Sequence, residues 1–117
     1  MANRVSGRKL GRKTGPRLAL YRNLTVAVLR YEQVKTTEAR AKEVRGRVEH
    51  MITLAKDGSL TARRRVVAEL PDEPLVIDKL FKEIAPRYAD RTSGYTRLVR
   101  IGLRSGDAAP IVQIELV

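Results

Sequence analysis

At 117 residues the chain is long enough for one domain that buries roughly two-thirds of the surface its unfolded form would expose. Lys and Arg number 24 against 13 Asp and Glu, leaving a net charge of +11 and a pI near 10.7, which makes a polyanion the expected partner. The absence of cysteine excludes disulfides, Cys-ligated zinc and thiol catalysis, and it suits a reducing cytoplasm. No apolar run approaches the ~20 residues of a membrane span, and the N-terminus lacks the apolar stretch of a secretory signal, so a cytoplasmic protein is expected.

Residues 1–15 read as a basic extended tail, and residues 16–117 as a single globular domain. The first seventeen residues carry Arg4, Arg8, Lys9, Arg12, Lys13 and Arg17 and no acid, which places +6 of the charge there and +5 in the remaining hundred. Only Val5 and Leu10 are bulky apolar groups, too few to offset the entropy of folding. Cations every few residues on a glycine-permissive backbone can follow successive phosphates through a narrow groove, although a tail kept for solubility has the same composition.

Pro16 suits the first turn of a helix, with Thr14 as a possible cap, and the apolar residues Leu18, Leu20, Tyr21, Leu24, Val28 and Leu29 carry that helix to about Tyr31. Arg22 lies on its polar side, where it extends the basic surface of the tail. Gln33 to Lys35 form a link that could pair as a strand. The stretch Thr36 to Lys56 then reads as one long helix. Its residues Ala41, Val44, Val48, Met51, Ile52 and Ala55 recur at steps of three and four and form one apolar stripe. Thr36 or Thr37 caps its start, and Asp57 with Gly58 closes its end. Along its polar arc, Glu38 with Lys42 and Glu43 with Arg47 stand at the spacing of intrahelical pairs. Gly46 weakens the helix interior and could mark a close approach to RNA backbone or to a neighbour.

Ser59 caps a further helix to Leu70, with Ala62, Val66 and Leu70 on one side. Arg63, Arg64 and Arg65 are consecutive, so they fan around the helix and cannot all touch one ligand. Pro71 ends this helix. Asp72 is the expected cap of the next, in which Ile77, Leu80, Phe81 and Ile84 mark a second core stripe that should stop at Ala85, ahead of Pro86. A loop from Pro86 to Gly94 follows, then two strand-like runs, Tyr95 to Ile101 and Ile111 to Val117. The second alternates strictly, with Val112, Ile114 and Leu116 set against Gln113 and Glu115. The expected fold is two-layer α+β, with helices packed on one face of a small, mostly antiparallel sheet and the basic tail extending from it.

Several blocks carry a family likeness: Ser6-Gly7-Arg8-Lys9-Leu10 in the tail, Thr36-Thr37 with Ala41-Lys42-Glu43 and Ile52-Thr53-Leu54-Ala55-Lys56 along the long helix, and Ala62-Arg63-Arg64 after it. The run Glu83 to Arg91, the run Gly94-Tyr95-Thr96-Arg97, and the ending Gly106-Asp107-Ala108-Ala109 then Ile114-Glu115-Leu116-Val117 complete the set. Through these blocks the chain resembles the bacterial large-subunit ribosomal protein L17 family over nearly its whole length. The resemblance implies a compact α+β domain with a basic extension, serving as a structural component of the large ribosomal subunit. It further implies binding to large-subunit rRNA near the exit of the peptide tunnel, beside neighbouring ribosomal proteins. Met1-Ala2-Asn3 and Gly15-Pro16 depart from the usual Met-Arg-His opening and Ser-His pair, so those contacts are not carried over. Leu103-Arg104-Ser105 stands where Pro-Arg-Arg is common, which keeps Arg104 as a contact but not Ser105.

Phosphate contacts are expected first from the tail cations and Arg22, with Arg63 and Arg64 on the third helix. A second cluster, Arg87, Tyr88, Arg91, Tyr95 and Arg97, interleaves guanidinium groups with phenol rings on a loop. There, unpaired bases could stack. The alternative is that the two tyrosines pack beneath the loop and that Arg87 or Arg91 pairs with Asp90.

A single His, the lack of Cys and the lack of a glycine-rich phosphate loop argue against an enzyme, a metal site, a cofactor or a small-molecule substrate. The rival classes are a DNA-binding architectural protein and a basic surface on anionic lipid. Neither a helix-turn-helix nor a dimerising heptad run supports the first, and no helix joins a cationic face to exposed Trp, Phe or Leu as the second needs.

Overall fold

The computed structural model describes residues 14–117. Helix α1 (Thr14–Tyr31) leads into strand β1 (Gln33–Thr37) and the long helix α2 (Glu38–Asp57). Helix α3 (Leu60–Glu69) and the short α4 (Pro74–Lys79) follow. A π-helical turn (Leu80–Ile84) and a last α turn, α5 (Ala85–Arg87), continue α4. Strands β2 (Thr96–Leu103) and β3 (Pro110–Leu116) complete a three-stranded antiparallel sheet in the order β1-β3-β2. The tail expected over residues 1–15 lies almost wholly outside the described residues, and α1 is already helical at Thr14, ahead of the expected boundary.

The central strand β3 turns Val112, Ile114 and Leu116 toward the helices, where all three are buried. Its partners align Val34 with Ile114 on one side and Leu98 with Ile114 on the other, so the inward residues form continuous rows across the sheet. Against these rows lie the six apolar residues of α2 expected from its periodicity, Ala41, Val44, Val48, Met51, Ile52 and Ala55, all buried. Tyr21, Val28 and Leu29 from α1 and Ile77, Leu80 and Ile84 from the α4 segment close the core. The result is the expected two-layer α+β arrangement.

Local chemistry accounts for two of the element ends. The Ser59 hydroxyl accepts from the Ala62 N–H at 3.1 Å, capping α3 as expected. Gly58 adopts φ 69°, and its N–H bonds to the Leu54 carbonyl, which closes α2 with a left-handed glycine.

Three expectations give way. Thr36 and Thr37 belong to β1, because pairing with Val112 and Ile111 satisfies their backbone; Thr37 is the residue before α2 but makes no side-chain cap bond. Asp72 does not cap α4. It sits in a left-handed turn at φ 64°, and Glu73 occupies the N-cap position. The fourth helical segment does not stop at Ala85 either. Pro86 has no N–H to give, and its ring would clash with the carbonyl four residues back. The chain widens here, with the Ala85 N–H bonded to the Leu80 carbonyl five residues earlier, and the helical path carries on to Arg87.

Candidate nucleic-acid interface

In the Arg and Tyr cluster the structure takes the packing alternative for both tyrosines. Tyr88 and Tyr95 pack on each other with ring centroids 5.3 Å apart, and they are only 3% and 1% exposed. The Tyr88 hydroxyl donates to the Val117 carbonyl at 2.6 Å, and that of Tyr95 to the Thr92 carbonyl at 2.9 Å. Lys56, on the last turn of α2, donates to the Tyr95 hydroxyl at 3.1 Å and also bonds the Arg91 carbonyl. Tyr95 is thus a buried strut with no ring face to offer a base, and base stacking on it is replaced by core packing.

The arginines of this region are occupied too. Arg87 forks onto Glu32 at 2.6 and 3.1 Å rather than pairing with Asp90, and Lys79 reaches the same carboxylate at 3.1 Å. The Arg87 hydrogen bonds hold the Glu32 carboxyl at about 2, well below its usual range. Arg97 pairs with Glu115 across the β2–β3 ladder at 2.9 Å, and Arg104 pairs with Asp107 inside its own turn. Arg91 donates to the Gly94 carbonyl at 3.1 Å. These arginines remain exposed, but four of their charges or donor sets are committed within the chain before any partner arrives. Arg30 with Glu73 and Arg100 with Glu38 extend the pattern.

One polar group on α2 proves structural. Arg45 donates to the Thr96 hydroxyl at 3.0 Å and to its carbonyl at 3.1 Å, while the Glu49 carboxylate accepts from the Thr96 N–H, the Thr96 hydroxyl and the Gly94 N–H at 2.8 to 3.0 Å. This knot fastens the start of β2 to the middle of α2. Its signal in the sequence is the spacing of four between Arg45 and Glu49, which is indistinguishable from that of an intrahelical pair.

The helical side is different. Arg22 on α1 is exposed, as are Arg63 and Arg64 on α3, and none of the three has a carboxylate partner among the described residues. Arg63 lies with its guanidinium carbon 4.7 Å from the centre of the Phe81 ring, which fixes the charge without neutralising it. Arg47 is likewise held with its guanidinium carbon 5.3 Å from the centre of the Tyr21 ring. Arg17 is 6% exposed on the first turns of α1, so it is embedded beside Tyr21 and is no free surface cation. Arg4, Arg8, Lys9, Arg12 and Lys13 lie outside the described residues.

Fold and charge therefore define a small basic α+β domain whose sheet side is largely self-neutralised and whose helical side keeps uncommitted guanidinium groups. The chain belongs to the ribosomal protein L17 family, whose model matches residues 20–117. It is similar to the large ribosomal subunit protein bL17 of Desulfitobacterium hafniense, 56% identical over 110 residues, which span 94% of this chain and 97% of that protein. It is similar also to the protein of the same name from Caldanaerobacter subterraneus subsp. tengcongensis, 56% identical over 113 residues covering 97% and 100%. The corresponding protein of Dehalococcoides mccartyi is 46% identical over 117 residues, covering 100% and 99%. As a member of this family the chain is a structural ribosomal protein and not an enzyme.

Proposed function

We propose that the chain is a structural constituent of the large ribosomal subunit in the cytoplasm, binding large-subunit rRNA beside neighbouring ribosomal proteins near the exit of the peptide tunnel. The observation that carries this reading is the sorting of charge. Glu38, Glu115 and Asp107 neutralise arginines of the sheet and its turn, and Glu73 and Glu32 those at the ends of α1 and α5. The excess falls on the tail and on α1 and α3. Phosphate attraction supplies the affinity, and the shape of the folded RNA selects the site.

In this reading the tail cations Arg4, Arg8, Lys9, Arg12 and Lys13 and the helical cations Arg22, Arg63 and Arg64 are the principal contacts. The paired arginines Arg87, Arg97 and Arg104 contribute less, because reaching phosphate costs each of them a bond it already has. Arg91 keeps a free edge and contributes between these limits.

Competition tests the reading against a DNA-binding one. Labelled large-subunit rRNA carrying the full chain is challenged with duplex DNA at equal phosphate concentration. Retention on rRNA is expected. Displacement by duplex DNA contradicts the ribosomal assignment.

A further inference from the structure

A cleft of about 450 Å³ opens between α1, α2 and α3 on the side of uncommitted charge, within the ~300–1,000 Å³ range of pockets that take small organic groups. Met51 and Leu70, 3% and 1% exposed, form its floor. Leu18, exposed at 41%, stands at its edge with Arg22, His50 and Glu69, all three exposed. None of Arg22, His50 and Glu69 has a hydrogen-bond or ion-pair partner among the described residues. Gly46, one helical turn before His50 on α2, is exposed, and a Cβ placed there would meet nothing within 4 Å. Nothing among the described residues explains a glycine that weakens a helix interior, and its bare Cα leaves room beside the cleft for an incoming strand.

We propose that this cleft takes one unpaired guanine nucleotide of the bound RNA, a reading that rests on the rRNA-binding function proposed above. The apolar floor and Leu18 receive the flat base, and Arg22 with His50 faces the adjoining phosphate. Glu69 sets the choice of base. A carboxylate only accepts hydrogen bonds, and guanine alone among the four bases presents two adjacent donors, N1–H and N2–H, that match its two oxygens. Glu69 also disfavours an acidic peptide, which the cations alone would attract.

The test is a methyl and amide NMR titration of the full chain with GMP, AMP, CMP, UMP and ribose 5-phosphate, run beside an rRNA-binding assay. GMP is expected to shift Leu18, His50 and Leu70 signals and to bind about fivefold or more tightly than AMP or UMP, as one good bidentate pair would give. Glu69→Gln should remove that preference while the protein still binds rRNA. Equal shifts from GMP and ribose 5-phosphate, or none at Leu18 and Leu70, overturn the cleft as a base site. If rRNA binding persists in that case, the function it rests on stands. If the chain shows no preference for rRNA over duplex DNA, that function falls and the guanine assignment falls with it.

Discussion

Glu32 and Arg87, 55 positions apart, meet in a two-pronged ion pair that ties the link between α1 and β1 to the end of the proline-widened helix. Glu32 itself adopts φ 66°, a left-handed conformation rarely taken by a residue with a side chain, and its N–H bonds the Val28 carbonyl to end α1. The pair, reinforced by Lys79, holds this turn in place.

The pair sets a pH dependence. The Glu32 carboxyl is held at about 2 against an ordinary value of 4.5, so the stability it contributes is complete above about pH 5 and is lost as pH falls toward 2. Both side chains are about one-third exposed, and solvent screening reduces the contribution to about 1 kcal/mol. Urea melts of the wild type and of Glu32→Gln should therefore differ by that amount at pH 7 and converge by about pH 2. A difference that grows on acidification contradicts the pairing. Arg87→Ala should lower the melting temperature too, unlike a purely RNA-facing arginine.

Tyr95 offers a clean separation of core from surface. Tyr95→Phe removes the bonds to Lys56 and Thr92 and should cost about 1 kcal/mol, while Tyr95→Ala should cost about 3–5 kcal/mol through the cavity it leaves. Neither should alter rRNA affinity once the protein is folded. Chemical denaturation and filter binding at matched folded concentration check both halves, and an unfolding free energy unchanged in Tyr95→Ala would return the ring to the surface.

Gly46→Ala places a methyl group in open space on an exposed helix face, so it should raise the stability of the free protein by about 1 kcal/mol. If a strand of RNA passes this point, the same change should weaken rRNA binding. Improved stability with unchanged affinity would show that nothing approaches there.

The proposed rRNA binding puts the salt dependence in the tail. Removing residues 1–13 deletes Arg4, Arg8, Lys9, Arg12 and Lys13. If about five phosphate contacts form, the slope of log affinity against log salt should flatten by about 4 units. An unchanged slope would assign rRNA binding to the folded domain alone.

Periodicity made much of this fold legible. The stripe of α2 and the alternation of β3 depend on residues adjacent in sequence, and each buried face was written in its own segment. Pairing between distant residues was not. Nothing local to Arg87 indicates Glu32, and the spacing of Arg45 and Glu49 suggests a surface pair where the fold builds a clamp on Thr96. Tyr95 illustrates the same limit from the other side: a tyrosine among arginines on a loop fits a stacking platform or core packing, and only the tertiary contact with Tyr88 and Lys56 decides for packing. The cleft beneath Arg22, His50 and Glu69 draws one or more residues from each of three helices, so no window of the sequence contains it. Pro86 signals only its usual effect on the preceding residue, whereas the π-turn that accommodates it lies between Leu80 and Ile84, both buried in the core.

Gradient sedimentation of a cell extract, probing each fraction for this chain before and after a high-salt wash, tests the central claim most directly. The account predicts co-migration with the large ribosomal subunit that survives the wash, because folded-domain contacts and shape add to the salt-sensitive tail. Recovery at the top of the gradient, or with chromosomal DNA, would contradict it.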